Sequence, residues 1–199
     1  MSHVPPGHPD RLRWNAKYEA GASFTAHPLA ERALALPPPD GPMLDLASGP
    51  SGGALLAAAS GRPVTAVDVS EVALDLLARE AEARGLRHLI TLVHADLGTW
   101  TPPRAAFALV LCTGFWDRAV FGPAVGAVAP GGVLAWEAFT REALRDRPHL
   151  PAEWCLGEDE PASLLPDTFT VLLQEDVPHG KRRMLARDNR AMDSFSEGR

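Results

Sequence analysis

Apolar positions along the chain form two kinds of pattern that alternate over its middle part. Short continuous apolar runs, typical of strands buried on both faces of a sheet, cover residues 43–47, 64–68, 89–94, 107–112 and 133–138. Segments with apolar residues at helical spacing cover residues 54–59, 71–84 and 118–128. Strands that alternate with helices predict an α/β fold, in which a mostly parallel sheet carries helices on both faces.

The pattern changes towards both ends of the chain. Helices are predicted over 11–21 and 27–36, and the proline run that follows ends the second, because proline lacks the backbone N–H and blocks the preceding turn. Strand-like segments recur at 169–173 and 183–186. The loop between them is too short for a crossover helix, so we expect them to pair antiparallel. The whole pattern predicts seven strands, with the antiparallel strand at the carboxyl-terminal end.

Composition narrows the possible functions. Hydrophobic residues make up 46% of the 199 residues, enough for the core of one domain, and no apolar run approaches the ~20 residues that a bilayer span needs. The net charge of −6 argues against nucleic-acid binding, and we interpret the densest basic cluster, 181–183, as a solvated turn. Cys112 and Cys155 form neither a disulfide framework nor a metal-ligand spacing. We therefore predict no metal, no membrane span and, by default, a cytoplasmic location.

Three acidic residues lie at the carboxyl ends of three successive predicted strands. Asp45 begins a turn of small residues that ends at Gly53, Asp68 closes the second strand, and Asp96 follows the third. Small residues between a strand and a helix allow a ligand to approach the backbone closely. A carboxylate at the end of the second strand can accept hydrogen bonds from both hydroxyls of a ribose. Because open α/β sheets bind ligands at the carboxyl ends of their strands, these residues predict a nucleotide-like site there.

The same turn also fits a second chemistry. Residues 49–53 match the G-x-S-x-G nucleophile elbow of α/β-hydrolases, with Ser51 as the nucleophile, and Asp167 and His179 follow in the order that such a triad needs. Hydrolases place this elbow well inside the sheet and an oxyanion loop upstream, whereas the residues before Asp45 are predicted to be helical. A nicotinamide-dependent oxidoreductase is a third possibility from the fold alone, although the turn lacks G-x-G-x-x-G.

The order of these segments resembles the motifs of class I S-adenosylmethionine-dependent methyltransferases. Residues 43–53 resemble the first, glycine-rich motif, with Ala47, Gly49 and Ser51 at its three small positions. The remaining motifs are matched by 64–70, 95–97, 107–118 and 129–134. The first helix and the glycine-rich turn look most similar to small bacterial tellurite-resistance-type methyltransferases. The resemblance implies a Rossmann-like fold and a bound S-adenosylmethionine, with S-adenosylhomocysteine as the product.

The resemblance also implies roles for individual residues. Asp68 would hold the ribose and Asp96 the adenine amino group. The full set of expected cofactor-binding residues is Trp14, Tyr18, Asp45, Ala47, Gly49, Ser51, Asp68, Val69, Asp96, Leu97 and Thr113. Phe115 and Trp116 are candidates to face the sulfonium or an apolar substrate, and Trp116 and Arg118, after the fourth strand, are candidate contacts for the methyl acceptor.

The expected organisation is one methyltransferase domain over 11–190, in which the helices of 11–40 cap the cofactor site. Segments 1–10 and 191–199 are expected to be flexible, and 140–161, rich in charges and prolines, to be an irregular connection with substrate contacts. We expect in-line methyl transfer to a small molecule, in a monomer or a homodimer. A module that binds the cofactor without transferring its methyl group remains the alternative.

Overall fold

The computed structural model describes residues 4–36 and 39–190. Within them the α-helices are α1 (Pro9–Glu19), α2 (Pro28–Ala35), α3 (Gly52–Ala59), α4 (Glu71–Ala83) and α5 (Arg118–Ala127). Short 3-10 helices lie at Arg87–Leu89, Arg141–Arg145, Ala152–Trp154 and Ala162–Leu164. The strands are β1 (Met43–Leu46), β2 (Val64–Asp68), β3 (Ile90–His94), β4 (Phe107–Thr113), β5 (Val128–Thr140), β6 (Cys155–Leu156), β7 (Phe169–Val177) and β8 (Lys181–Asp188).

All the strands of the described residues join one sheet with the order β3-β2-β1-β4-β5-β8-β7. The first five are parallel to one another, and the order reverses between β1 and β4, which creates a crevice at their carboxyl ends. The sheet has eight strands, so the predicted seven was wrong by one. The extra strand, β6, has two residues and pairs in parallel with Phe139 and Thr140 of β5. Such a short strand lies inside a segment that the sequence pattern marks only as irregular.

The antiparallel pairing at the carboxyl-terminal end is confirmed. Strand β8 pairs antiparallel with both β7 and β5, and its first residue, Lys181, lies opposite Phe139. The amino-terminal end of β8 therefore lies at the same edge of the sheet as the carboxyl ends of the parallel strands. This register brings a segment near the end of the chain to the crevice.

Both faces of the sheet are buried, and neighbouring residues of each central strand alternate between two cores. Leu44 and Trp136 pack on the face that α5 covers with Phe121. Met43 and Ala135 pack on the opposite face, which is covered by α2, α3 and α4. This double coverage explains why β1 and β4 are continuous apolar runs in the sequence.

The observed start of α1 and the burial of Val4 can be compared with the predicted domain limits. Helix α1 begins at Pro9 and the side chain of Val4 is buried, so part of the segment that we expected to be flexible packs against the domain. Residues 1–3 and the predicted tail 191–199 lie outside the described residues. In the parts of the chain that the structure describes, no helix has the length and apolarity to cross a membrane.

Candidate functional site

A cavity of about 540 Å³ lies at the carboxyl edge of the parallel strands, at the crevice between β1 and β4. Helix α1 and the segment after β5 form its other walls. Eight of the expected cofactor-binding residues line it: Trp14, Tyr18, Ala47, Asp68, Val69, Asp96, Leu97 and Thr113. A smaller cavity of about 190 Å³ adjoins it and shares Trp14, Phe115 and Phe139 as lining residues.

The turn after β1 has the tight geometry that its small residues predict. Ala47 and Gly49 both adopt left-handed backbone conformations, with φ of 48° and 57°. The Ser48 amide donates to the carbonyl of Val67, which ties the turn to β2. Two left-handed residues so close together reverse the chain sharply, so Ala47 reaches the cavity while α3 begins behind it.

Asp68 connects this turn to the end of β2. One carboxylate oxygen accepts a hydrogen bond from the Gly49 amide at 2.7 Å, and the other accepts one from the Ser70 amide at 2.8 Å. Burial raises the pKa of Asp68, and these amide hydrogen bonds act in the opposite direction. The two oxygens of a carboxylate have about four acceptor sites together, so these amide bonds do not use all of them and Asp68 can still accept from a ligand in the cavity.

Asp45 and Ser51 support the turn from behind and are not among the residues that line the cavity. The Ser51 hydroxyl donates to Asp45 at 2.5 Å and accepts a hydrogen bond from the Ala54 amide, so it is the N-cap of α3. Burial raises the pKa of Asp45 to about 7. The Ser51 hydroxyl is thus engaged in shaping the turn, and its bonds in the described residues give it no histidine partner for hydrolase chemistry.

Asp96 stands at the far end of the cavity, after β3. Its carboxylate accepts a hydrogen bond from the Gly98 amide at 2.9 Å and lies 3.6 Å from the His8 ring. It lines both cavities and leaves acceptor sites open to a ligand. His94, which ends β3, directs its Nε2 to the carbonyl of Val69 at 3.0 Å and so belongs to the support of this edge.

Helix α1 covers the cavity without burying any of its own residues completely. It is held to α4 by the ion pair between Arg11 and Glu71 and by the Ser70 hydroxyl, which donates to Asn15 at 2.7 Å. The Tyr18 hydroxyl lies only 2.6 Å from the point where a Cβ on Gly49 would stand. Helix α1 can therefore close over the turn only because Gly49 has no side chain.

The residues after β4 divide between the cavity and the core. Phe115 lines both cavities. Trp116 is 3% exposed and packs against Phe121 and Trp136, although it also reaches the wall of the smaller cavity. Arg118 lines neither cavity, because its guanidinium forms a two-pronged ion pair with Glu160. The structure thus places Phe115, more than Trp116 or Arg118, beside the space where a ligand would react.

The basic cluster 181–183 is not a solvated turn, and that interpretation was wrong. Lys181 and Arg183 donate to the buried carboxylate of Glu137 at 2.7 and 2.5 Å, and Arg182 pairs with Asp176. Lysine and arginine at alternate positions of β8 point to the same face of the sheet, where they meet Glu137 on the neighbouring strand. The alternate spacing of Lys181 and Arg183 could have indicated that both lie on one face of a strand. Their partner Glu137 becomes apparent only when β8 is paired with β5.

Glu137 receives a third hydrogen bond, from His27. The Nδ1 of His27 accepts from the Leu29 amide, so its Nε2 carries the proton and donates to Glu137 at 3.2 Å. Burial opposes ionisation, but the bonds from His27, Arg183 and Lys181 outweigh it and lower the pKa of Glu137 to about 2. Glu137 is thus an ionised buried carboxylate that fixes Lys181 at the cavity wall.

Sequence reasoning missed the cationic side of the cavity. Four basic residues line it: Arg13, Lys17, Arg147 and Lys181. Arg147, Leu150 and Trp154 come from the 140–161 segment, for which substrate contacts were expected without named residues. Only the fold brings the first helix, this segment and the start of β8 to one place.

Comparisons with known proteins give a family match for the central part of the chain and a shared fold for most of it. Residues 43–132 match the family model described as a methyltransferase domain. No curated protein sequence matches the chain. A solved structure from work on the conversion of a disulfide bond into a thioacetal group during echinomycin biosynthesis superposes with a TM-score of 0.71 at 18% identity, covering 93% of this chain and 95% of that one.

Two further structures show the breadth of this fold. The geranyl diphosphate C-methyltransferase from Streptomyces coelicolor A3(2), solved with S-adenosyl-L-homocysteine, gives a TM-score of 0.63 at 14% identity, with 93% of this chain and 87% of that chain covered. The [4+2]-cyclase SpnF gives 0.62 at 20% identity, with 82% and 80% covered. These likenesses establish a shared Rossmann-like fold. The resemblance to tellurite-resistance-type enzymes stays a prediction.

Proposed function

We propose that this chain, whose residues 43–132 match a methyltransferase domain, is a class I S-adenosylmethionine-dependent methyltransferase that methylates a small-molecule acceptor held beside the cofactor. The observation that carries this proposal is the cavity, which α1 covers on one side and the segment after β5 covers on the other. A covered cavity of this size admits a small molecule more readily than the surface of a folded macromolecule.

The residues of the cavity fit the cofactor. Asp68 retains acceptor capacity for the ribose hydroxyls, and Asp96 retains acceptor sites for the adenine amino group. The left-handed turn at Ala47 and Gly49 brings backbone close to the space between them. Asp45 and Ser51, which we expected to bind the cofactor, are proposed instead to hold this turn in shape.

The chain contributes chiefly position and exclusion of water. S-Adenosylmethionine supplies a methyl group on a sulfonium, which is already a good leaving group. Thr113, Gly114 and Phe115, at the end of β4, form the wall against which an acceptor is aligned. Alignment of two reactants can lower a barrier by roughly 7–11 kcal/mol. A general base is needed only for an acceptor that arrives protonated.

The compounds named with two similar structures are small molecules, which supports a small acceptor. Geranyl diphosphate and phosphomonomethylethanolamine are the compounds named with two of the methyltransferases that share this fold. The fold also serves a [4+2]-cyclase, so a reaction other than methyl transfer is the second candidate. Release of S-adenosylhomocysteine in the presence of acceptor mixtures separates the two, because a cyclase leaves S-adenosylmethionine unconsumed.

Ligand binding gives the first test of the proposal. Calorimetry with the purified chain is expected to show saturable binding of S-adenosylmethionine and S-adenosylhomocysteine, since Asp68 and Asp96 both line the cavity. No binding of NADH is expected, since the turn after β1 lacks the G-x-G-x-x-G glycines that bind a pyrophosphate. Tight NADH binding without a response to S-adenosylhomocysteine would overturn the proposal.

Gly49→Ala is expected to weaken S-adenosylhomocysteine binding, because the new Cβ meets the Tyr18 hydroxyl and pushes α1 away from the turn. Gly61→Ala is the matched control: Gly61 also has a positive φ but has no atom within 4 Å of the added Cβ. Both variants carry left-handed strain of about 1–2 kcal/mol, so both should melt earlier. Only Gly49→Ala should lose affinity, and adding Tyr18→Phe should restore part of it. Equal affinities for the two alanine variants would contradict this role.

A further inference from the structure

Acidic and basic side chains both line the two cavities. The acidic residues are Asp68 and Asp96, at β2 and β3, Asp10 of α1, and Asp117, which lines the smaller cavity. The basic residues are Arg13 and Lys17 of α1, Arg147 of the segment after β5, and Lys181 of β8. In a protein with a net charge of −6, the informative cations are those that no carboxylate of the described residues neutralises.

Two of the cations have no acidic partner in the described residues. The Arg13 guanidinium lies 4.8 Å from the ring of Trp154 and 5.2 Å from that of Trp14, and the Arg147 guanidinium lies 4.7 Å from Phe139. No carboxylate of residues 4–36 or 39–190 comes within 4.0 Å of either guanidinium. Both lie at the rim of the cavities, where they can turn towards a ligand while their rings remain beneath them.

The other two cations are already accounted for. Lys181 is bound to Glu137 at 2.7 Å. Lys17 stacks on Trp14 and Tyr18 and interacts with the charge of Asp68, so it stands on the cofactor side. A carboxylate on the cofactor can therefore be matched by Lys17, which leaves Arg13 and Arg147 for a second molecule.

The smaller cavity offers an apolar wall for the second molecule. Phe115, Phe139 and Trp154 line it. Arg13 lies over the ring of Trp154 and Arg147 over the ring of Phe139, so each of these two rings adjoins one of the two guanidinium groups.

We propose that the acceptor is an anionic small molecule with an apolar, flat body. Its carboxylate or phosphate is bound by Arg13 and Arg147, and its body packs against Phe139 and Trp154 where the two cavities meet. This inference rests on the proposed function, because the second molecule is taken to be the methyl acceptor.

The test uses two probes that share one body and differ in charge, 2-naphthoate and 2-naphthamide. Their affinities for the S-adenosylhomocysteine-loaded protein are compared by calorimetry. We expect naphthoate to bind about tenfold more tightly than naphthamide. An ion pair at an exposed rim increases affinity by up to roughly fivefold, and two such pairs of intermediate strength, about threefold each, multiply to about tenfold. Each of Arg13→Gln and Arg147→Gln should reduce this preference by about threefold, and Arg147→Lys should retain part of it. Arg145→Gln, which removes an exposed guanidinium near Arg147, is the matched control and should change nothing.

The outcomes separate the two proposals. Equal affinities for the two probes, no saturable naphthoate binding up to its solubility limit, or a preference that survives both glutamine variants would overturn the anionic acceptor while the cofactor still binds. Absence of S-adenosylhomocysteine binding, measured before any probe is added, would instead overturn the proposed function. The naphthoate preference is then measured on the protein alone, where its presence would still support an anion site.

Discussion

Asp68→Ala is expected to weaken S-adenosylhomocysteine binding on the order of 10–150-fold, the range that follows from losing hydrogen bonds to a charged group, roughly 1.5–3 kcal/mol. Asp68 has two roles, because its carboxylate faces the cavity and also accepts hydrogen bonds from the amides of Gly49 and Ser70. Without it, the ribose would lose its proposed acceptor and the glycine-rich turn would lose one of its ties to β2.

The experiment compares dissociation constants by calorimetry for three proteins. Asp75→Ala, on the exposed side of α4, is the control, since it removes an aspartate of the same domain without touching the cavity. Thermal melting establishes that each variant is folded. If Asp68→Ala remains folded and binds within twofold of the parent, Asp68 is not the ribose acid.

The second large effect is expected on stability. Glu137→Ala should reduce the free energy of unfolding by about 3 kcal/mol, since removing one member of a buried ionic group leaves the others without a partner. The three partners of Glu137 are His27, Lys181 and Arg183, and the carboxylate itself is completely buried. For a domain of this size the melting temperature should fall by roughly 6–12 °C. Glu142→Gln, which breaks an exposed pair with Arg145, is the matched control and should change little.

The pH dependence identifies the ionised carboxylate as the cause. The pKa of Glu137 is lowered in the folded protein from 4.5 to about 2, so its contribution is present above about pH 4.5 and is lost as the pH falls towards 2. The stability difference between the parent and Glu137→Gln, measured by urea unfolding, should therefore be larger at pH 7 than at pH 3. A difference that does not change with pH would show that packing, and not charge, is what the substitution removes.

Loss of Glu137 should release Lys181 but leave the proposed anion site intact. Lys181 lines the larger cavity and is held there by Glu137. Arg13 and Arg147 do not depend on this carboxylate. Naphthoate preference should therefore persist in Glu137→Gln wherever the variant is folded, which separates the structural ion cluster from the proposed anion site.

The sequence alone determined the alternation of strands and helices, the glycine-rich turn and the order of the acids at successive strand ends. These features are local: β1 and β4 are continuous apolar runs because both of their faces are buried, and Asp68 and Asp96 follow the strands that carry them. Because parallel strands end at the same edge, their order along the chain was enough to place the two acids in one cavity.

The tertiary structure decided which neighbouring side chains face the cavity and which distant residues join it. Phe115 and Trp116 are adjacent and both aromatic, but packing against Phe121 and Trp136 turns Trp116 mainly into the core. Ser51 matched two motifs, and only its bond to Asp45 shows that it shapes the turn. The cations come from α1, from the segment after β5 and from β8, which periodicity cannot relate, because their meeting depends on strand order and on long-range pairing between β5 and β8.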